Sequence, residues 1–334
     1  MKKRAKNMTI NEFKLEFKKI ISQNQNFIIT IHENPDGDAI GAQFALFIFL
    51  NHLNKNIRIF NPTAPYPEYD FLGLSDKTEN SISDSSDDIV FMLDFNEKKR
   101  APKIVQNIFK NCKKLICIDH HRKTKKTRET LSLIDSSASS ACEILYFLLK
   151  NDIEKFPTNE QKKIANCLYT GLIYDTNNFS NKNVSTKTFQ VAKELLNLGA
   201  DNNLCSRNIF QNQKNIELKL LGLTLKTLEE IDDKRIVCFV TTQKMLKACN
   251  AKMENTTNFS KNVKPSDERE IVIHFRELGE NKFRVSLRSI NTDVQKIAEK
   301  FGGGGHKLAA GFEVEMKFEK LKNKLVELLN YEKK

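Results

Sequence analysis

The amino-acid sequence predicts an α/β protein, in which a parallel sheet with helices on both faces is joined by a helical linker to a smaller mixed α/β domain. In the first part of the chain, short and continuously apolar runs alternate with longer helical patterns, which is typical of strands buried in a parallel sheet. After about residue 230, three segments of strand character precede a helix, a glycine run, a strand and a final helix. That order indicates a second domain of mixed α/β type.

The first domain is predicted to open with a helix, because Thr9 and Glu12 form a capping-box pattern ahead of the periodic stretch 13–21. Four apolar runs then predict buried strands at 27–31, 57–60, 89–93 and 114–118. Helical patterns predict helices at 38–54 and 98–110. From about residue 139 to residue 228 the pattern is mostly helical, so the sheet is expected to be complete before that point.

The domain boundaries follow from this order of patterns. We assign 1–196 to the first domain, 197–230 to a helical linker and 231–334 to the second domain; the stretch 202–230 contains few helix breakers. In the second domain, strands are predicted at 235–241, 271–276, 283–288 and 310–314, with a helix at 292–301 and another at the end of the chain. The polar stretch 255–269 is predicted to be a surface loop.

The composition is that of an ordinary soluble protein. Of the 334 residues, 40% are hydrophobic and 29% are charged, and no run of about 18 apolar residues predicts a membrane span. The seven cysteines form no Cys-x-x-Cys pair, and several lie in apolar runs, so we expect buried, reduced thiols in a cytoplasmic protein rather than disulfides or a zinc site.

The net charge of +12 favours an anionic ligand or nucleic acid as partner. Trp is absent and the 23 Phe residues lie mostly in apolar patterns, so no aromatic stacking platform is predicted. A basic run at 122–128 is typical of a solvated loop, although it could also steer RNA electrostatically.

Acidic residues and histidines follow the predicted strands at the point where each strand ends. Because the carboxyl ends of parallel strands converge on one crevice, segments distant in sequence are expected to meet there. Carboxylates together with imidazoles suit Mn²⁺ and similar divalent ions. Any one of these residues has a simpler interpretation, since an Asp after a strand often caps a helix, as Asp38 could. The candidate ligands are His32, Asp36, Asp38, Asp94, His120 and Asp175.

A second group of candidates lies in the second domain. The glycine run 302–305 followed by His306 is either a helix C-cap or a loop whose backbone N–H groups approach an anion. Arg276 and Arg288 lie near the ends of strand patterns and could bind a phosphate bidentately. Arg288 is the stronger candidate of the two.

These motifs, in this order, resemble those of a known family. Four segments resemble the motifs of the DHH phosphoesterase superfamily: His32-Glu-Asn-Pro-Asp36-Gly-Asp38-Ala39-Ile-Gly41, Asp94, Asp119-His120-His121 and Asp175. Arg288-Ser289 and Gly302-Gly303-Gly304-Gly305-His306 resemble the DHHA1 domain. The resemblance runs from about residue 26 to residue 315 and is strongest to the NrnA-type oligoribonucleases, which are also 3′-phosphoadenosine-5′-phosphate phosphatases. Two positions depart from the pattern, with Ala42 where Ser is frequent and Asn177 where Gly is frequent.

The resemblance implies two Mn²⁺ ions that share Asp94. One would be bound by His32, Asp36 and Asp94, and the other by Asp38, Asp94, His120 and Asp175. Asp119 would orient a ligand, and His121 would face the substrate together with His306, giving His121, His306 and Asp119 as the catalytic set. The implied substrate-binding residues are Arg276, Arg288, Ser289, Gly303, Gly304, Gly305 and His306.

The implied activity is hydrolysis of very short RNA, including linear dinucleotides, to mononucleotides, and dephosphorylation of 3′-phosphoadenosine 5′-phosphate. The expected partners are therefore short RNA and phosphorylated nucleotides, with no membrane, and a homodimer is possible. Within the superfamily, a cyclic-di-AMP phosphodiesterase or a pyrophosphatase is the alternative. From another class, a non-catalytic nucleic-acid-binding protein would fit the charge, but the complete ligand set argues against it.

Overall fold

The computed structural model describes residues 9–61, 67–73, 77–79, 81, 86–97, 100–101, 103–122, 131–233, 235–256 and 259–331. Most of the basic run, at 123–128, and residues 98, 99 and 102 of the predicted helix 98–110 lie outside these ranges. The chain divides into two compact units between Asn212 and Gln213. Each unit is built around its own sheet, which confirms the predicted two-domain α/β class.

The first unit contains a sheet of six strands in the order β3-β2-β1-β4-β5-β6, and every strand pair in it is parallel. The four predicted strands are confirmed to within one residue. Two strands were not predicted, because β3 has two residues and β6 has four. The strands are β1 (Asn26–Ile31), β2 (Asn56–Phe60), β3 (Thr78–Glu79), β4 (Ile89–Leu93), β5 (Lys114–Asp119) and β6 (Leu131–Ile134).

Helices cover both faces of this sheet. Alternate residues of β1 enter different cores, since Phe27, Ile29 and Ile31 pack with α1, α2, α4 and α5, whereas Ile28 packs with α3. A 3₁₀ helix, Pro67–Leu72, also belongs to this unit. The helices are α1 (Ile10–Gln23), α2 (Gly37–His52), α3 (Lys103–Asn111), α4 (Ala141–Ile153), α5 (Thr158–Asp175), α6 (Thr186–Asn197) and α7 (Asn202–Phe210).

Glycines bring α2 and α5 into close contact. A β-carbon on Gly41 would overlap the carbonyl oxygen of Cys167, and one on Gly171 would lie 2.7 Å from Asp38 Oδ1 and closer still to Cys142 Sγ. The two helix backbones can therefore approach each other where no side chain stands between them. This contact places the first turn of α2 beside the last turn of α5.

The second unit contains a mixed sheet in the order β11-β12-β10-β9-β8-β7, in which β8 and β9 are parallel and the other pairs are antiparallel. One face packs on α11 and α12, and part of the other on α8, α9 and α10. The strands are β7 (Glu229–Ile231), β8 (Ile236–Thr241), β9 (Ile271–Gly279), β10 (Lys282–Ser289), β11 (Gly304–His306) and β12 (Ala309–Glu315). The helices are α8 (Asn215–Leu225), α9 (Gln243–Cys249), α10 (Phe259–Asn262), α11 (Val294–Glu299) and α12 (Phe318–Tyr331).

The segment assigned to the linker contains two helices that pack in different units. α7 contacts α5 in the first unit, whereas α8 contacts β8 and α9 in the second. Residues 211–214 between them are not helical. The predicted surface loop 255–269 includes the short helix α10, whose Phe259 is buried.

The glycine run is a helix end followed by a strand rather than a loop. Gly302 has φ 76°, and the N–H groups of Gly302 and Gly303 donate to the carbonyl oxygens of Glu299 and Ala298. Gly304–His306 then forms β11, which pairs with β12 at the edge of the sheet. The interpretation as a helix C-cap is correct for Gly302, and anion binding by backbone N–H groups of the glycine run stays a prediction.

Two expectations from composition can be compared with the structure. In the part of the chain that is described, no helix is both long and apolar enough to cross a membrane. None of the seven cysteines forms a disulfide, and five of them are buried. Cys117, Cys142, Cys167 and Cys205 lie in the first unit, where they pack as small apolar side chains.

Replacing Gly171 by alanine tests the contact between α2 and α5. We expect Gly171→Ala to lower the free energy of unfolding by about 1–3 kcal/mol, because the added methyl group overlaps Cys142 and Asp38. Gly222→Ala in α8 is the matched control, since a β-carbon there meets no atom within 4 Å, and alanine should be neutral or stabilising by up to about 1 kcal/mol. Urea denaturation measures both. Equal stability of Gly171→Ala and the wild type would contradict the close contact.

Candidate metal centre

Three neighbouring strands deliver histidine and aspartate side chains to one edge of the first sheet. β1, β4 and β5 are adjacent, and each ends at this edge. His32 follows β1, Asp94 follows β4, and His120 follows β5. The convergence expected of parallel strands thus brings these three side chains together.

The helices α2 and α5 add the remaining candidates. Asp36 is the N-cap of α2, and its Oδ1 accepts hydrogen bonds from the N–H groups of Asp38 at 3.0 Å and Ala39 at 3.2 Å. The suggestion that Asp38 could cap this helix is therefore wrong; Asp38 lies inside the first turn, fully buried. Asp175 is the last residue of α5.

All six predicted ligands lie in two groups that meet at Asp94. Within each group, one potential ligand atom per residue lies within 4.8 Å of the others. The first group is His32, Asp36 and Asp94, and the second is Asp38, His120 and Asp175. A third, overlapping group contains Asp94, Asp119, His120 and His121.

The carboxylate of Asp94 connects the two groups. Its Oδ2 lies 3.4 Å from Nε2 of His32, and its Oδ1 lies 3.3 Å from Nε2 of His120. The residue has φ 63°, a backbone conformation that is uncommon outside glycine, and its N–H donates to the carbonyl oxygen of Ile118 at 3.0 Å. The backbone after β4 thus holds Asp94 with one oxygen toward each histidine.

Some buried nitrogen and oxygen atoms of this cluster lack a hydrogen-bond partner in the part of the chain that the structure describes. His32 Nδ1 lies 2.9 Å from the carbonyl oxygen of Glu33, which can only accept, so Nδ1 carries a proton and Nε2, which faces Asp94, is the ring nitrogen that could bind a metal. Asp94 Oδ1 and His120 Nε2 are buried without a hydrogen-bond partner among the residues described, although His120 Nε2 lies 3.0 Å from Asp175 Oδ2. Carboxylate oxygens and imidazole nitrogens that converge in a buried site are the donor set of a divalent cation, so the residues fit a metal.

The electrostatics lead to the same conclusion. Burial, and then repulsion from Asp94 and Asp175, raises the pKa of Asp36 to about 6 and also raises the pKa of Asp38 well above its ordinary value. Burial opposes the charged form of Asp94 as well, but His120 and His32 hold its pKa below the ordinary value. Although burial acts in the opposite direction, Asp175 and Asp94 raise the pKa of His120 to about 12. Without a cation, this cluster of carboxylates is stabilised by protons.

The N-terminus of α4 holds Asp38 in place. The N–H groups of Ala141 and Cys142 donate to its two carboxylate oxygens at 2.6 and 2.9 Å. Ser140 caps the helix by accepting from the N–H of Glu143, and the helix dipole favours the negative charge. This support of Asp38 was not predicted, although Ser140 and Glu143 have capping-box spacing.

Asp119 orients His121 rather than one of the six predicted ligands. Its Oδ1 accepts from Nδ1 of His121 at 2.8 Å and from the backbone N–H of His121 at 3.1 Å. The other oxygen accepts from the side chain of Asn96, which also donates to the carbonyl oxygen of Arg122. Asn96 was not predicted; its position two residues after Asp94 is the signal that could have identified it.

The turn after Asp175 explains one departure from the family pattern. Asn177, Asn178 and Phe179 have φ values of 46°, 54° and 63°. Gly and Asn tolerate this left-handed region best, so Asn177 can replace the frequent Gly without changing the backbone. The side chain of Asn181 donates to the carbonyl oxygen of Asp175 at 2.8 Å and ties the turn to the end of α5.

In the second unit, the structure brings some of the predicted substrate-binding residues together. Arg288 pairs with Ala309 of β12, which pairs with His306 of β11, so Arg288 and His306 project from the same face. Ser289 lies on the opposite face, where its hydroxyl accepts from the N–H groups of Asn291 and Thr292. Ser289 is therefore part of a turn and does not join Arg288.

The three predicted glycines differ in their surroundings. Gly304 shares the face of His306, and a β-carbon there would meet no atom within 4 Å. A β-carbon on Gly303 would overlap Gly311 and Phe312, and one on Gly305 would lie 2.5 Å from the carbonyl oxygen of Ala309. Gly303 and Gly305 thus allow the close approach of β12, whereas Gly304 leaves the face open.

Comparison with known proteins decides the family. The model of the DHH family, N-terminal domain, matches residues 26–172, and the DHHA1 domain matches residues 239–332. The probable bifunctional oligoribonuclease and PAP phosphatase NrnA of Streptococcus mutans is 30% identical over 301 residues, covering 88% of this chain and 92% of that protein. The chain belongs to the DHH family. As a DHH phosphoesterase it is a metal-dependent hydrolase, and the resemblance to DHH and DHHA1 proteins is confirmed.

One further relative agrees with this assignment, and one solved structure has a similar fold. The bifunctional oligoribonuclease and PAP phosphatase NrnA of Bacillus subtilis is 27% identical over 299 residues, covering 89% of this DHH-family chain and 92% of that protein. An exopolyphosphatase-related protein from Bacteroides fragilis has a solved structure with a TM-score of 0.86, covering 97% of this chain and 98% of its own at 22% identity. That likeness shows a shared fold.

Metal titration tests the assignment of the ligands. We expect the wild-type protein to bind two Mn²⁺ ions, and Asp94→Ala to lose both, because its two carboxylate oxygens face one histidine of each group. Mn²⁺ should also raise the melting temperature of the wild type, since the cation replaces the protons that now offset carboxylate repulsion. Calorimetric titration and thermal denaturation measure the two effects.

The matched control is Glu97→Gln, which removes an exposed carboxylate three residues from Asp94. This variant should bind two ions as the wild type does. Full binding by Asp94→Ala would contradict the shared role of Asp94.

Proposed function

We propose that this protein hydrolyses very short RNA, including linear dinucleotides, to mononucleotides, and also removes a phosphate from 3′-phosphoadenosine 5′-phosphate, with Mn²⁺ as its metal. The observation that carries the proposal is the pair of ligand groups with the carboxylate of Asp94 between them, because two neighbouring cations suit phosphoester hydrolysis. The NrnA names of the Streptococcus mutans and Bacillus subtilis relatives supply the substrate class.

The chain provides ligands for two ions with different surroundings. His32, Asp36 and Asp94 would hold one, and Asp38, Asp94, His120 and Asp175 the other. When bound, two such ions lower the pKa of a coordinated water and stabilise charge on the phosphoryl oxygens. The capped start of α2 and the N-terminus of α4 hold the carboxylates before any ion binds, which reduces the cost of assembling the site.

His121 is proposed to exchange a proton with the oxygen that leaves phosphorus. Asp119 accepts a hydrogen bond from Nδ1 of His121, which fixes the ring and its tautomer, so that Nε2 is the atom used for catalysis. Asp119 is fully buried and is itself held by Asn96. In this proposal Asp119 is a positioning residue and His121 a catalytic one.

The second unit is proposed to bind the nucleotide. Arg288 and His306 project from one face and flank Ala309, whose small side chain leaves room between them. Gly304, on the same face, leaves further space. A guanidinium beside an imidazole suits a phosphate, and this supports Arg288 and His306 as substrate-binding residues.

A substrate panel tests the proposed function. Purified protein with Mn²⁺ is incubated with a 5′-phosphorylated dinucleotide, a much longer RNA, 3′-phosphoadenosine 5′-phosphate, cyclic-di-AMP and pyrophosphate. We expect hydrolysis of the dinucleotide and of 3′-phosphoadenosine 5′-phosphate, with little or no action on the others. Asp94→Asn should lower kcat by at least about 10³-fold, because it weakens both metal sites, and Glu97→Gln should be unchanged.

Other outcomes would favour a different function or contradict the proposed site. Faster hydrolysis of cyclic-di-AMP or of pyrophosphate than of the dinucleotide would favour the corresponding alternative within the superfamily. Equal turnover by Asp94→Asn and the wild type would contradict the proposed site.

A further inference from the structure

One face of the second sheet carries three arginines on two adjacent strands. Arg276 of β9 lies directly opposite Arg284 of β10, and Arg288 follows four residues later on β10. Directly paired residues share a face, and residues an even number of positions apart on one strand do as well. The three guanidinium groups therefore project from the same side of the sheet, which is also the side of His306.

The three arginines differ in their partners. Arg284 is neutralised by Glu313, because its Nε and Nη2 donate to Oε1 of that residue at 2.8 and 2.6 Å. Arg288 donates from Nη1 to the carbonyl oxygen of Leu287 at 2.9 Å. Arg276 donates from Nη2 to Oγ of Ser286 at 2.6 Å, but its Nε is buried and meets no hydrogen-bond partner in the ranges that the structure describes.

The position of Arg276 is unfavourable for a cation without an anionic partner. An unpaired N–H on a buried charged group costs free energy, and here two further guanidinium groups lie nearby. Burial, followed by repulsion from Arg284 and Arg288, lowers the pKa of Arg276 to about 10. A phosphate that accepted from Nε and Nη2 together would satisfy the unpaired donor and offset the repulsion.

The spacing along β10 separates this position from Arg288. Ser286, which holds the guanidinium of Arg276, lies two residues before Arg288. Two residues of a strand span roughly 7 Å. Two phosphates of one short nucleotide can be separated by a similar length, so one ligand can reach both positions.

We propose that Arg276 and Ser286 form a second phosphate subsite, which binds the phosphate that is not hydrolysed. This inference rests on the proposed function and refines its substrate class. The subsite selects nucleotides that carry a terminal phosphate in addition to the scissile one. A dinucleotide with a 5′-phosphate is accordingly a better substrate than the same dinucleotide without it.

The test compares two substrates that differ by one phosphate, pApA and ApA, with the full-length protein and Mn²⁺. The wild type should have the higher kcat/KM for pApA. Arg276→Gln should lower kcat/KM for pApA about 10- to 100-fold, mostly through KM, and leave ApA within about twofold. Binding of two Mn²⁺ ions by Arg276→Gln, as by the wild type, shows independently that the variant is folded.

Two further variants and a control sharpen the comparison. Arg276→Lys keeps the charge but loses the planar fork, so it should recover part of the preference for pApA. Ser286→Ala removes the hydroxyl that holds Arg276 and should weaken pApA selectively, by less than Arg276→Gln. Lys282→Gln removes a positive charge from the start of the same strand and should leave both substrates unchanged.

Different results would contradict the phosphate subsite and the proposed function. If the wild type hydrolyses both substrates but shows no preference for pApA, or if Arg276→Gln lowers both equally, the subsite is wrong while the proposed function stands. If the wild type hydrolyses neither substrate, the proposed function itself fails, and the subsite fails with it.

Discussion

The arrangement of the first unit depends on how Asp94 is held between two histidines. Its two oxygens face His32 and His120, and three more carboxylates converge on the same buried region. Such a concentration of negative charge opposes folding unless protons or cations offset it. Burial, together with that repulsion, raises the pKa of Asp36 and of Asp38. The fold therefore carries a local cost at this edge of the sheet, and a divalent cation removes it.

The surrounding elements hold this charged cluster in place. Gly41 and Gly171 let α2 and α5 approach so closely that their acidic residues share a site. The start of α4 donates two backbone N–H groups to Asp38. The second unit has an excess of positive charge in one place, because Arg276 and Arg288 share a face with Arg284, which is itself paired with Glu313. A substrate rich in phosphate complements both a metal centre and such a face.

Much of the site could be predicted from the sequence, because the carboxyl ends of parallel strands must lie at one edge. That rule located His32, Asp94 and His120 before any contact was known. It could not decide whether Asp36 or Asp38 caps α2, since the two lie in the same turn and the choice depends on the contact of Asp38 with α4. The hydrogen bond from Asn96 to Asp119 could not be predicted either, because the two side chains meet only in the folded chain.

The second unit was harder to predict for a related reason. A glycine run is compatible with a helix cap, a loop or a strand. Gly304–His306 is a strand because it pairs with β12. Alternation along β10 places Ser289 on the face opposite to Arg288, where its hydroxyl accepts from the turn that follows. Likewise, the hydrogen bonding of the Arg276 guanidinium depends on its neighbours on β10. The sequence around Arg276 therefore could not predict that its Nε lacks a partner among the described residues.

The most direct test of the account is the location of bound metal. Crystals grown with Mn²⁺ and measured at the manganese absorption edge would show each ion as an anomalous peak. Two peaks are expected, both in contact with Asp94. The remaining contacts are predicted to be His32 and Asp36 for one peak, and Asp38, His120 and Asp175 for the other. A single peak, or a pair of which one does not contact Asp94, would contradict it.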